Sequence, residues 1–135
     1  MIFNYVLNCI LFIVIGIAEG YLWHYSVNKI TKQQAKNLHL PLMALRVIWY
    51  VWLLIHTRLD YSSVICLYLC HPFFHLGMMY QTRNMLNPKI YIYKFFDTAS
   101  NTSTSIADTL FPMPFFIRLV MFIFGSVWYF IWNTF

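Results

Sequence analysis

Ionisable side chains interrupt all four long apolar stretches of this sequence, and they are the residues whose types could do chemistry. They are one carboxylate, two guanidinium groups and two imidazoles, those of Glu19, Arg46, Arg118, His71 and His75. An ionisable side chain within a membrane-length apolar segment is costly and indicates a functional site by default. At ~1.5 Å per residue, most of these groups lie about 6–9 Å inside the same end of their helices, with His71 one turn deeper. We therefore expect one polar pocket, at the level of the lipid headgroups.

The balance of charges in this pocket favours an anion. Guanidinium groups bind phosphate oxygens through paired hydrogen bonds, and the arginines outnumber the single carboxylate. We expect Arg46, Arg118 and Arg83 to hold a lipid phosphate or a soluble phosphate ester. Glu19 or His75 would then move protons as the catalytic group.

A purely structural role is the alternative for the same residues. Arg46 and Arg118 lie close enough to the interface to extend into it, and Glu19–Arg46 could be a plain ion pair between helices. Glu19 is too short to reach far, and it is flanked by Gly16 and Gly20. Because small residues let helices approach closely, we expect Glu19 to face the bundle interior.

The histidine pair is a candidate metal site. His71 and His75 are four residues apart and share one helix face, a spacing that binds transition metals. A third ligand, Glu19 or His24, would complete a zinc or iron site. Pro72 lies between the histidines and is expected to disturb the helix that the spacing requires.

Two further pairs of ionisable residues lie outside the pocket. His56 and Asp60 are expected at the opposite face of the membrane, roughly 15–25 Å away, where they would cap a turn. Asp97 and Asp108 bracket a run rich in Ser and Thr. Either could act as a general base, a metal ligand or a helix cap, and the sequence leaves these open.

The elements that must position these residues follow from the composition. Of 135 residues, 61% are hydrophobic and only 10% are charged, with a mean hydropathy of +0.62. Soluble domains carry about 25% charged residues, and disordered chains are far less hydrophobic. The net charge of +5 is not gathered into a basic face, so nucleic acid is not an expected partner. The chain is predicted to be an integral membrane protein.

The hydropathy pattern predicts an all-α fold, a polytopic four-helix transmembrane bundle that forms a single domain over residues 1–135. The predicted helices cover about 2–25, 40–57, 64–80 and 114–132. The predicted loops are 26–39, a basic segment with a short polar helix ended by Pro41, and 81–113, a basic interfacial loop.

The basic residues predict the orientation. If the crossings alternate, most of them share one side of the membrane, namely Lys29, Lys32, Lys36, Arg83, Lys89 and Lys94. Lys and Arg in short loops mark the cytoplasmic side, so both termini are expected outside. In a three-crossing alternative, with 64–80 re-entrant, the loop 81–113 would lie outside and this agreement would be lost.

Two classes of function compete. The first is an enzyme or binding protein for a phosphate-bearing lipid, with membrane lipids as partners. The second is a non-enzymatic accessory subunit, or a pore-forming or lysis-type protein that assembles as a homo-oligomer, in which the polar residues specify helix packing. The small size and the lack of a charged leader indicate a bacterial or phage-encoded protein of the inner membrane. No Gly-rich phosphate loop or nucleophile motif names a reaction.

Overall fold

The described part of the chain is entirely helical apart from short turns. The computed structural model describes residues 2–29, 32–56, 59–90, 94–97 and 114–134, without the side chains of 23, 25–29 and 32–39. Its helices are α1 (Ile2–Lys29), α2 (Lys32–His56), α3 (Tyr61–Leu86) and α4 (Phe115–Thr134). Three of them, α1, α3 and α4, are long and apolar enough to cross a membrane, and the apolar part of α2, Leu40–His56, is shorter.

The helices alternate in direction. Contacts between α1 and α2 pair Glu19 with Arg46 and Phe12 with Tyr50, so these two helices are antiparallel. Asn8 of α1 donates to the carbonyl of Leu67, 3.2 Å away, while residues further along α1 meet residues further along α3, so α1 and α3 are parallel. Helix α4 is antiparallel to α3, since Gly125 lies at Cys66 and the earlier residue Phe122 packs on the later residue Phe73. The four helices thus alternate in direction along the chain, up, down, up and down.

Helix α3 is the centre of the bundle, packed against α1 on one face and α4 on the other. Close approach to α1 depends on Gly16 and Gly20. A Cβ at Gly16 would collide with the carbonyl oxygen of His75, and one at Gly20 would lie 2.7 Å from Cβ of Thr82. The two glycines therefore set the distance at which α1 faces α3, as small residues do in membrane helix pairs.

Helices α3 and α4 also approach each other closely at a glycine. Gly125 lies against the carbonyl of Cys66, and a Cβ there would be 2.7 Å from that oxygen. Next to it, the ring of Phe122 stacks on Phe73 with centroids 4.6 Å apart. The opposite face of α4 carries exposed apolar side chains, Phe116, Ile117, Val120, Ile123, Phe124, Val127, Trp128, Ile131 and Trp132. A face of this composition suits contact with lipid chains.

Asp60 caps the beginning of α3. Its carboxylate accepts from the backbone N–H of Ser63 at 2.8 Å, which satisfies one of the unpaired donors of the first turn. Trp132 of α4 donates to the same carboxylate. Hydrogen bonds from the side chain and backbone of Ser63 hold the pKa of Asp60 below its ordinary value. The predicted capping role of Asp60 is therefore a feature of the fold.

The helices are longer than predicted at several ends. Residues 26–29 and 32–39, predicted as a loop that contains a short polar helix, belong to α1 and α2, and α3 runs from 61 to 86 instead of 64 to 80. Pro41 lies within α2 and Pro72 within α3, so neither proline ends or interrupts its helix. Proline is tolerated inside membrane helices because neighbouring helices satisfy the freed backbone groups. The expected disturbance between His71 and His75 is therefore absent.

Candidate functional site

Three of the predicted site residues meet at one point, one from each of α1, α2 and α3. Glu19 comes from just past the middle of α1, and Arg46 and His75 come from just past the middle of α2 and α3. The Gly16–Gly20 approach brings the Glu19 side of α1 against the His75 turn of α3. We name this cluster of Glu19, Arg46 and His75 the triad.

The carboxylate of Glu19 is shared between the other two side chains. Its Oε2 lies 2.6 Å from Nε2 of His75, and its Oε1 accepts from Nη2 of Arg46. The same Arg46 Nη2 is 2.9 Å from His75 Nε2. A contact of 2.6 Å requires one proton between Nε2 and Oε2, and the direction of this hydrogen bond depends on the tautomer of His75. The triad therefore places one carboxyl group, one guanidinium and one imidazole within hydrogen-bonding distance of one another.

Exposure distinguishes the members of the triad. The side chains of Glu19 and His75 are each 7% exposed, whereas 21% of the Arg46 side chain is accessible. Within the described residues, the hydrogen bonds of Arg46 all use Nη2. Nε of Arg46 is buried without a hydrogen-bond partner in that part of the chain, whereas Nη1 contacts neither Glu19 nor His75. Arg46 is thus the member that a molecule outside the bundle can reach.

His71 lies one turn deeper and outside the triad's hydrogen bonds. Its ring is 5.5 Å from that of His75 and packs on Phe12 at 4.5 Å and Tyr68 at 5.2 Å. Its Nδ1 is buried without a hydrogen-bond partner among the described residues. These contacts make His71 part of the aromatic packing between α1 and α3.

The geometry does not support the predicted metal site. Over the described residues, no group of three or more His, Cys, Asp or Glu side chains lies where it could hold a metal ion. Arg46 lies on the nitrogen through which His75 would coordinate, and its positive charge opposes a cation there. The ligand set His71, His75, Glu19 and His24 is therefore not assembled for zinc or iron.

Arg118 is held separately, on the α4 side of α3. Its Nη2 donates to the carbonyl of Phe95 at 2.9 Å and to that of Asp97 at 2.8 Å. The guanidinium lies over the rings of Tyr80 and Phe115, 5.6 and 5.8 Å from their centroids. His75 and Tyr80 are five residues apart, which is ~140° around α3 and ~7.5 Å along it. The predicted single polar layer is thus two clusters on different faces of α3.

The segment that bonds Arg118 is anchored to α3. Phe95 sits in a notch at Gly77, where an added Cβ would lie 2.5 Å from the ring. The backbone N–H of Phe95 donates to Oε1 of Gln81 at 3.3 Å. The carboxylate of Asp97 accepts a hydrogen bond from the backbone N–H of Lys94 at 2.8 Å. Its backbone carbonyl is the group that accepts from Arg118. We call Lys94–Asp97 the lid.

The other predicted site residues lie elsewhere on the helices or outside the described residues. Arg83 is 3% exposed and donates to Sδ of Met79 at 3.2 Å. His24 lies five residues beyond Glu19 on α1 and is half-buried. His56 stacks on Trp52 at the far end of α2. Asp108 lies outside the described residues.

Sequence reasoning missed the residues that enclose Arg118, namely Tyr80, Phe95 and Gly77. Only Gly77 carried a signal, since an isolated glycine within a helical pattern often marks a close approach. The partner of Gly77 is 18 positions away at Phe95, and no periodicity links the two.

Comparison of the chain with protein-family models, with curated proteins and with solved structures gave no match. The function of the protein is therefore inferred from the geometry of the site.

Proposed function

We propose that the protein binds the phosphate of a membrane lipid at the triad, with Arg46 as the group that meets the anion. The observation that carries this proposal is that Arg46 alone among the triad is accessible, while its partners are buried. Of the guanidinium nitrogens, Nη2 contacts Glu19 and His75 and Nε is buried, so Nη1 is the nitrogen that an outside anion can reach. Its N–H donors suit a phosphate oxygen.

Glu19 and His75 would orient Arg46 and handle protons. Their contact of 2.6 Å is buried, where a charge-assisted hydrogen bond is stronger than in water. A phosphate at Arg46 would compete with Glu19 for the guanidinium. We assign any proton transfer that accompanies binding to the His75–Glu19 pair, since it is the nearest acid–base couple.

We also propose four crossings with both termini outside. The apolar part of α2, Leu40–His56, extends ~26 Å at ~1.5 Å per residue and packs antiparallel to α1. Such a length nearly matches a hydrocarbon core of ~30 Å. Alternating crossings place Lys94 and the triad at the same end of the bundle, the cytoplasmic end by the distribution of Lys and Arg.

Binding is tested by native mass spectrometry of the detergent-purified protein. The probes are short-chain phosphatidic acid and the matched diacylglycerol, which lacks the phosphate. We expect adducts with phosphatidic acid only, and a loss of about tenfold in affinity for Arg46→Gln. Arg46→Lys keeps the charge but not the fork of donors, and should fall between the two.

A packing role for the triad is the second candidate, because its ion pair ties α2 to α1 and α3. Asn8 adds a similar tie, accepting from Trp49 of α2 at 2.9 Å while donating to α3. Buried polar contacts of this kind specify helix pairing in membranes. In this account the lipid is incidental.

The swapped pair Glu19→Arg with Arg46→Glu separates the two candidates. It retains an ion pair between α1 and α2 but moves the accessible charge from positive to negative. If packing is the only role, thermal stability and lipid binding both survive the swap. If Arg46 binds the phosphate, binding is lost in a folded protein. Should the swapped protein fail to fold, Arg46→Gln compared with Arg46→Lys gives the same answer.

A further inference from the structure

We infer that Arg118 forms a second anion-binding site, which the lid closes in the structure described here. The site is distinct from the triad, since it lies on the α4 face of α3. Its ligand class is a phosphate group, whether on a lipid or free. The lid, Lys94–Asp97, occupies the guanidinium donors that the phosphate would use.

The first argument is the cost of burying this charge. Arg118 is 0% exposed, and its hydrogen bonds within the described residues go to backbone carbonyls of the lid. Nε and Nη1 of Arg118 have no hydrogen-bond partner in that part of the chain. Carbonyl dipoles and aromatic rings only partly replace the water that a guanidinium loses. A phosphate would supply both a full counter-charge and acceptors for the unused donors.

The second argument is that the lid is a small, replaceable partner. Lys94, Phe96 and Asp97 are exposed, and only Phe95 is partly buried. Among the described residues, the lid is fixed by the Phe95 ring, which lies at Gly77 and against Phe73, by the Phe96 ring against Phe115, by one N–H bond to Gln81 and by Arg118 itself. A phosphate that displaces the two carbonyls therefore competes with a small set of contacts in a turn, outside the regular helices.

The surroundings indicate that a lipid phosphate fits better than a soluble one. One exposed apolar side chain belongs to the lid and another to the first turn of α4, with Phe96 67% and Phe116 71% exposed. Phe96 also packs on Phe115, the ring beneath Arg118. Acyl chains would lie against these side chains while the phosphate reaches the guanidinium.

Gly77→Ala is the variant that opens the lid with least damage elsewhere. The three atoms nearest an added Cβ all belong to the Phe95 ring, so the methyl group displaces the lid and not the helix. Binding to a closed site is weakened by the fraction of molecules that are open. We expect Gly77→Ala to bind phosphatidic acid about tenfold more tightly than the unchanged protein. Phe95→Ala loosens the lid from the other side and should act in the same direction.

The dependence on Arg118 and the source of the phosphate are tested in the same assay. Adding Arg118→Gln to Gly77→Ala should remove the whole gain, while diacylglycerol should show none. A gain with inorganic phosphate as well would identify a site for free phosphate. A gain with phosphatidic acid alone would identify a lipid headgroup site. Each variant is repeated with Arg46→Gln, which separates this site from the triad.

The inference fails if both lid variants bind phosphatidic acid within about twofold of the unchanged protein. It also fails if the gain persists after Arg118→Gln. In either case Arg118 serves only to hold Lys94–Asp97 on the bundle.

Discussion

The triad and the Arg118 site each contain one guanidinium group, but the two groups differ in their partners and in their exposure. Arg46 is paired with a carboxylate and remains 21% accessible. Arg118 is 0% exposed and bonds two backbone carbonyls. Arg46 has a carboxylate partner and can be reached from outside the protein. Arg118 is enclosed, and its Nε and Nη1 have no hydrogen-bond partner among the described residues.

This difference shows that depth alone does not assign a role to a charged residue in a membrane helix. The two arginines are at similar depths in sequence, yet their neighbours decide what each can bind. A paired, accessible arginine can take a ligand without any rearrangement of the chain. An enclosed arginine must first lose its lid.

The largest effect is expected from removing the shared carboxylate. Glu19→Ala leaves Arg46 and His75 facing each other in a buried site, and loss of one partner of a buried pair costs about 3–5 kcal/mol. Unfolding in detergent should report this loss. The double variant with Arg46→Ala should recover part of it, whereas simple additivity would show that the two residues are not coupled.

A smaller loss is expected from Gly16→Ala. The new methyl group would meet the backbone carbonyl of His75, which cannot move aside as a side chain can. Overpacking of this kind costs about 1–3 kcal/mol, and it would separate Glu19 from His75. Gly77→Ala is the matched control, since its methyl group meets only a ring. Equal destabilisation by the two substitutions would argue against a close α1–α3 approach.

At the Arg118 site the main effect should be local. Arg118→Gln removes two charge-assisted hydrogen bonds to the lid but also relieves a buried charge, so the net loss should be about 1–2 kcal/mol or less. Hydrogen exchange at the amides of Phe95 and Asp97 should accelerate, while exchange at the triad stays unchanged. Faster exchange around His75 would mean that the two clusters are one unit.

The smallest effect concerns Asp60, which lies far from both clusters. Its pKa is lowered in the folded protein, so its stabilising contribution is present above the unfolded pKa and is lost as the pH falls through the folded pKa. The free energy of unfolding should therefore decrease on acidification below about pH 4. Asp60→Asn should weaken this dependence, which thermal melts in detergent at pH 3 and pH 6 would measure. An unchanged pH dependence would show that other carboxylates cause it.

Much of the fold was accessible from the sequence, because apolar stretches and helix length are local properties. The pattern predicted four helices and the inward-facing Glu19, and the structure places Glu19 at 5% exposure. Helix ends were less accessible, since Pro41 is normally a stop signal yet lies within α2. The sequence could not show that Arg118 bonds Phe95 and Asp97, because that contact depends on how a loop folds back.

The structure gives the metal hypothesis no support, for a related reason. His71 and His75 have the required spacing, but spacing along one helix does not reveal the neighbour that another helix supplies. Arg46 from α2 lies on His75, and among the described residues no third ligand joins the two histidines.

The most direct test of the contrast between the two arginines is one titration with short-chain phosphatidic acid, on the unchanged protein, Arg46→Gln and Arg118→Gln. Because Arg46 is reachable and Arg118 is covered by the lid, we predict a loss of about tenfold for Arg46→Gln and a change of less than about twofold for Arg118→Gln. A loss confined to Arg118→Gln would contradict the account, since the enclosed arginine would then be the one that meets the lipid.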